Sequence, residues 1–362
     1  MNKKLLAAAL GVAFAAPVFA DASNLTLYGR LHTVLDHQST DTGAASTGGN
    51  FTVQSASSRV GIKGQEDLGS GLNLVFGWEV QISSDANDAG NGVTGNSGAL
   101  NDGRHAYLGF KGAYGTLTVG TQDGGNETVA PFYDLASTFA GGLTNNGGPL
   151  TQVQSDISSD DSVLAGNQRR NNSFGYSHTI AGVKIAARHS LNGTNNASNN
   201  AGATTKENGN RETEVSAAYT IGDLMIGGAL FLDDRQGGTP AAANVENGYL
   251  LGATYKMGAL KLGAGVQVNE YYGQVNGDDS ETRAAISATY DLGGGSQVYG
   301  LFGDGEDLDG GNDLQQFQLV YSYDLSKRTR TYVGFQRVSS DPIAGGAETD
   351  VDNFTVGLRH NF

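Results

Sequence analysis

Phe354, Val356, Leu358 and Phe362 alternate with Thr355, Gly357, Arg359 and Asn361 at the end of the sequence, so its last nine residues read as a strand with one apolar face. Such a strand carries a row of N–H and C=O groups that must find a partner. The segment LTLYGRLHTVL, from Leu25, alternates in the same way. Pairing of the two would close a barrel, and an edge-free barrel is the β structure whose backbone is satisfied inside lipid. A chain with this ending is expected in an outer membrane.

Residues 1–20 are expected to be a secretory signal, because Lys3 and Lys4 precede an apolar run from Leu5 to Phe19 that closes on Val18-Phe19-Ala20, a small-x-small cleavage site. Pro17 and that site make the run too short for a spanning helix. The barrel domain is then residues 21–362. Without Lys3 and Lys4 it carries 20 basic against 37 acidic side chains, a formal charge of −17, which argues against nucleic acid as a partner.

Mean hydropathy is −0.30 and no run of 18 apolar residues follows Ala20. A barrel tolerates this, since only alternate residues of each strand meet lipid. With 55 Gly, 5 Pro and no Cys, the composition suits many strands and tight turns without disulfides.

The connections alternate between short and long. Tight links fall at 67–72, 113–115, 180–182, 221–223, 257–259, 292–296 and 325–327. Polar loops fall at 38–56, 84–102, 123–167, 193–210, 236–246, 273–280, 304–312 and 340–350. Together they predict an all-β, sixteen-stranded antiparallel transmembrane barrel at about 21 residues per strand and connection, with short periplasmic turns and long extracellular loops. Leu72, Leu74, Phe76, Trp78, Val80 and Ile82 form one outward stripe. Leu260, Leu262, Ala264, Val266 and Val268 form a second, and Phe317, Leu319, Tyr321, Tyr323 and Leu325 a third. The opposite faces carry Asn73, Glu79 and Gln81; Lys261, Gln267 and Asn269; and Gln316, Gln318 and Ser322, which could line a water-filled lumen or face solvent from a soluble sheet.

SRVGIKGQEDLGSGLNLVFGWE (58–79), RHAYLGFKGAYGTLTVG (104–120), NSFGYSHTIAGVKIAARH (172–189), YSYDLSKRTRTYVGF (321–335), the opening TLYGR and the closing Phe362 together resemble the Gram-negative trimeric general porins, in particular their neisserial and β-proteobacterial branch. The resemblance covers nearly all of the chain beyond residue 20. It implies a homotrimer in outer-membrane lipid and lipopolysaccharide, a third long loop folded into the barrel, and passage of small hydrophilic solutes and ions. It implies no cofactor and no catalysis.

In a pore, function resides in lumen width and in the charges a solute meets. By alternation Arg30, Arg59, Lys63 and Arg169 point inward, with Leu31, Val60, Ile62 and Phe174 outward. The resemblance places Arg59 and Arg169 at the constriction and Arg30 on the pore wall. Arg104 shares parity with Ala106, Leu108 and Phe110, which turns it toward lipid unless it lies at the strand's polar rim. The facing acids are expected from the third loop, as Glu127 and Asp134, while Glu79 belongs to the polar strand face. Many relatives read GRQ after LTVG; here Thr121 gives GTQ, which removes one basic contact and, with the net charge, predicts mild cation preference.

Other functions are less well supported. His32, His37, His105, His178, His189 and His360 show no zinc-ligand spacing, and there is no GxSxG turn. GDGEDLDGGND (303–313) has acid and glycine spacing suggestive of calcium but lacks a closing Glu. A solute-specific channel for anions or sugars and an outer-membrane adhesin share the fold and remain the alternatives.

Overall fold

Eighteen strand segments and no helix occupy the described residues of the computed structural model, which are 23–43, 46–49, 51–56, 58–82, 100–123, 169–191, 210–235, 245–275, 277–307 and 311–362. In chain order they are β1 (Ser23–Asp41), β2 (Ser46–Thr47), β3 (Phe51–Ser55), β4 (Arg59–Asp67), β5 (Asn73–Ile82), β6 (Leu100–Gly112), β7 (Gly115–Asp123), β8 (Arg169–Ile180) and β9 (Val183–Ser190). There follow β10 (Asn210–Ile221), β11 (Leu224–Arg235), β12 (Val245–Met257), β13 (Leu260–Val275), β14 (Asp278–Gly293), β15 (Ser296–Asp307), β16 (Asn312–Asp324), β17 (Thr329–Pro342) and β18 (Thr349–Asn361).

The segments β2, β3 and β4 pair with successive stretches of the long β1 and together make one interrupted wall strand. Every other strand pairs antiparallel with its sequence neighbour, and β18 pairs with β1 from Arg30↔Asn361 to Asp41↔Asp350. The sheet is therefore a closed ring of sixteen strands with no free edge, as the matching ends of the sequence imply. Gly29 and Phe362 seal the seam by exchanging two backbone hydrogen bonds, of 3.0 and 3.1 Å.

Turn chemistry enforces the short connections. Between β8 and β9 only Ala181 and Gly182 remain, with φ of 51° and 84°. Two positive φ values in a two-residue loop match the right-handed twist of the flanking strands. At the other end, two of the expected loops are shorter than the polarity of their residues suggests. β13 and β14 run to Val275 and Asp278, and β15 and β16 run to Asp307 and Asn312, so most of 273–280 and 304–312 is hairpin. The 38–56 stretch likewise contributes the end of β1, β2 and β3. Polar residues extend these strands because, above a bilayer, both faces of a hairpin can meet water.

Burial is inverted relative to a water-soluble sandwich. Leu27 and Leu251 are each 64 % exposed, whereas Gln318, Gln336 and Asn353 are 0 % exposed. On β16 the alternation is unbroken: Leu314, Gln316, Gln318, Val320 and Ser322 are buried and Phe317, Leu319, Tyr321 and Tyr323 exposed. The second and third sequence stripes thus face out where described, and their polar partners face in. The first stripe fails at Val80, which is buried, because the β5–β6 register shifts on both sides of it.

Candidate functional site

A continuous row of charged side chains crosses the inner face from β16 to β7. It begins where Asp324 on β16 stands opposite Arg330 on β17, joined by two bonds, Nε to Oδ1 at 2.5 Å and Nη2 to Oδ2 at 2.9 Å. Arg330 is opposite Arg359 on β18. Arg359 in turn is opposite His32 on β1, and Arg30, two residues away, donates from Nε to Asn361 Oδ1 at 3.2 Å. Arg30 is opposite Arg59 on β4, whose Nη1 lies 3.9 Å from Glu79 Oε1 on β5. Antiparallel pairing places each of these residues beside the next because all share the inward parity.

The row tightens at Glu79. Arg104 donates from Nε to Glu79 Oε1 at 2.5 Å, and both side chains are nearly buried. His105 places Nδ1 3.8 Å from Glu79 and Nε2 2.5 Å from Asp123 on β7. A bulge brings this about. Glu79 pairs with His105 and Val80 with Gly103, so Arg104 is an extra residue on β6. Bulges re-aim side chains, and this one turns Arg104 inward against the lipid-facing parity read from sequence. A nearly buried carboxylate is tolerated here because arginines on both neighbouring strands, Arg59 on β4 and Arg104 on β6, face it.

Tyrosines complete the inner wall by covering inward glycines. A Cβ built at Gly61 would stand 2.7 Å from Tyr28 Cζ, one at Gly77 2.6 Å from Tyr107 Cε1, and one at Gly357 would run into the Tyr332 ring. Lys63 fits among them, with Nζ 5.0 Å from the Tyr28 ring centre. Tyr332 also bonds His32 Nε2 at 2.8 Å. A second inward network lies on β13 and β14: Gln267 donates to Asn269 at 3.0 Å, Asn269 to Glu281 at 2.7 Å, and Arg283 pairs with Glu281 at 2.9 Å.

Of the residues chosen from sequence, Arg30, Arg59, Lys63 and Glu79 lie together on this wall. Arg169 opens β8, its backbone opposite Asp123, and its side chain lies outside the described residues. Glu127 and Asp134 lie outside them altogether. Thr121 pairs with Ala106. Sequence reasoning missed Arg330 and Arg359, although both share the parity of the inward Tyr332 and Gly357 and were there to be counted. Arg104 and the His105–Asp123 pair were hidden by the bulge, which leaves no mark in the apolar pattern. Among the described residues no group of three or more His, Asp or Glu is arranged to hold a metal ion.

A closed barrel, apolar outside and charged inside, is the arrangement to which the comparisons answer. The family model described as Gram-negative porin matches residues 6–342. The chain belongs to the Gram-negative porin family. It is 26 % identical over 392 residues, covering all of both chains, to the major outer membrane protein P.IB of Neisseria meningitidis serogroup B. Among solved structures it resembles an anion-selective porin from Comamonas acidovorans, with a TM-score of 0.70 and 21 % identity over 94 % of this chain and 100 % of that one. It also resembles the trimer form of OmpT of Vibrio cholerae, with a TM-score of 0.62 and 16 % identity over 94 % and 100 %. Family and fold together make this porin a multi-pass outer-membrane protein, of a kind that conducts rather than catalyses.

Proposed function

We propose that this porin forms a water-filled channel through which small hydrophilic solutes and ions diffuse passively, and that it works as a homotrimer after residues 1–20 are removed. The polar inner wall carries the proposal: a lumen lined by Arg30, Arg59, Lys63, Glu79, Arg104, Arg330 and Arg359 has a use only if water and charged solutes meet it. Glu127 and Asp134, on the longest connection, would face these arginines, with Arg169 extending the basic side. The resulting transverse field orients dipolar solutes and hinders apolar ones.

The outer wall supports assembly. Exposed tyrosines mark the ends of strands nearest the short turns at Tyr114, Tyr176, Tyr219, Tyr255, Tyr290, Tyr321 and Tyr323. Among the described residues β17, β18, β1, β3, β4 and β5 carry no exposed tyrosine; they present Val333, Leu358, Leu25, Leu27, Phe51 and Trp78 instead. Aromatic girdles lie at lipid headgroups, so a sector without one is suited to meeting another subunit.

Wall and rim pull selectivity in opposite directions. The mild cation preference expected from the net charge rests on acids concentrated at the extracellular ends, such as Asp304, Glu306, Asp313 and Asp341. A weak anion preference is the second reading, favoured by the arginine row. Reconstitution in a planar bilayer tests both. Large ohmic steps in threes are expected, and the sign of the reversal potential in a KCl gradient chooses between the readings. Current that saturates and is blocked by sugar or phosphate would replace diffusion with a solute-specific channel. Silence after verified insertion would leave an adhesin or structural barrel.

A further inference from the structure

The outer wall between β12 and β16 is not uniformly filled. It carries an apolar groove of about 610 Å³. Small residues in adjacent strands make its floor: Ala253 stands opposite Ala264, and Ala288 opposite Gly300. Leu262, Ile286, Phe302 and Phe317 rise around them. The depression is open at Gly300, where an added Cβ would meet only the Gln318 carbonyl, at 3.8 Å.

One register row nearer the short turns, Val298 stands between Tyr290 and Tyr321. The Tyr321 hydroxyl shares a 3.1 Å hydrogen bond with Ser296 Oγ. The groove thus has an apolar body with Tyr255 in its lining, and the tyrosine girdle runs along the edge of it nearest the short turns.

The volume equals that of ~20 liquid waters, but a water needs two to four polar partners, which outward-facing alanine, leucine, isoleucine and phenylalanine side chains do not offer. Left empty, the groove would forfeit dispersion contacts along its whole lining. Its filler must be apolar, slender and able to end at the tyrosine girdle. A second copy of the chain fits poorly, because the groove lies within the girdled sector. Lipopolysaccharide also fits poorly: it belongs to the other leaflet, where Asp304, Glu306 and Asp313 share this outer face and repel its phosphates.

We propose that the groove seats one acyl chain of a periplasmic-leaflet glycerophospholipid, with its headgroup among Tyr290, Tyr321 and Ser296. The proposal rests on the membrane location of the barrel and is independent of what the pore conducts. The full-length mature protein is reconstituted in phosphatidylethanolamine–phosphatidylglycerol vesicles containing chain-spin-labelled phosphatidylethanolamine. Electron paramagnetic resonance should show a motionally restricted component that falls by about one lipid per protomer in Gly300→Leu, with unit conductance unchanged. An equal restricted component in both proteins overturns the seat, and loss of trimers in Gly300→Leu alone shows that a second copy occupies it. A reporter that leaves the groove open guards against misfolding of the leucine variant. Phe302→Trp in a Trp78→Phe background, where it is the sole tryptophan, should be quenched strongly by phospholipid brominated along its chains, and an unquenched tryptophan overturns the proposal. Conductance of the same preparations tests the channel separately.

Discussion

The two halves of the barrel wall obey one alternation rule yet are finished differently on both faces. From β8 to β16 the outer face ends in tyrosines, and the inner face mixes buried amides, Gln267, Gln316 and Gln318, with separate charged groups, Arg188, Glu212, Glu214 and the Glu281–Arg283 pair. From β17 through β18, β1 and β4 to β5 the outer face carries leucine, valine, phenylalanine and Trp78 but no exposed tyrosine, and the inner face bears Arg330, Arg359, Arg30, Arg59 and Glu79. Binary patterning fixes which side of a strand is apolar, but the kind of apolar residue reports its neighbour. Tyrosine suits a boundary with water and headgroups; leucine alone suits a dry contact. The unbroken arginine row therefore sits on the half of the wall that a partner subunit would brace, where a side chain's position is least subject to breathing of the sheet.

The comparison breaks most visibly with a charge on each half. Leu27→Arg and Leu251→Arg start from equal exposure. Leu27→Arg is expected to abolish trimers on a semi-native gel. Leu251→Arg should keep them while losing ~2–4 kcal/mol of barrel stability in urea, the cost of a cation on a lipid-facing strand. Trimers that survive Leu27→Arg would place the subunit contact elsewhere.

A smaller effect is expected from the single tryptophan. Trp78 lies on the outer face of β5 and is exposed in the lone chain. Brominated lipid should quench it weakly in trimers and several-fold more after dissociation; equal quenching would mean that β5 faces lipid throughout.

On the inner faces, Arg59→Gln and Arg104→Gln should each move the reversal potential toward cations by several millivolts in a tenfold KCl gradient. Lys261→Gln, on the inward parity of the other half, should move it less. A larger shift from Lys261 would relocate the controlling charges. The smallest difference is that of Tyr219→Phe, which keeps the ring and loses one hydroxyl at the girdle; its urea midpoint should change by the equivalent of at most ~1 kcal/mol.

What could be read from sequence divides along the same physical lines. Closure, strand count and the outward stripes follow from period-2 patterning, which a half-apolar wall imposes along every strand. Arg30, Arg59, Lys63 and Glu79 follow from the same parity. Arg104 does not, because a bulge adds one residue and reverses everything on one side of it without altering composition. The extensions of β13 to Val275, β14 from Asp278, β15 to Asp307 and β16 from Asn312 were hidden for another reason: above the membrane neither face need be apolar, so strand and loop look alike. The discontinuous β2–β3–β4 partner of β1 is invisible for that reason too.

The seam between Gly29 and Phe362 also has a consequence in time. Its partners are more than three hundred residues apart, the largest loop closure the chain can contain, and such closures are slow. Until the final strand arrives, β1 offers an open edge, and any barrel assembled from the preceding strands is an unsealed sheet exposed to wrong partners. Closure of the wall must therefore wait for the last strand, and the two hydrogen bonds at Phe362 mark when it becomes a cylinder.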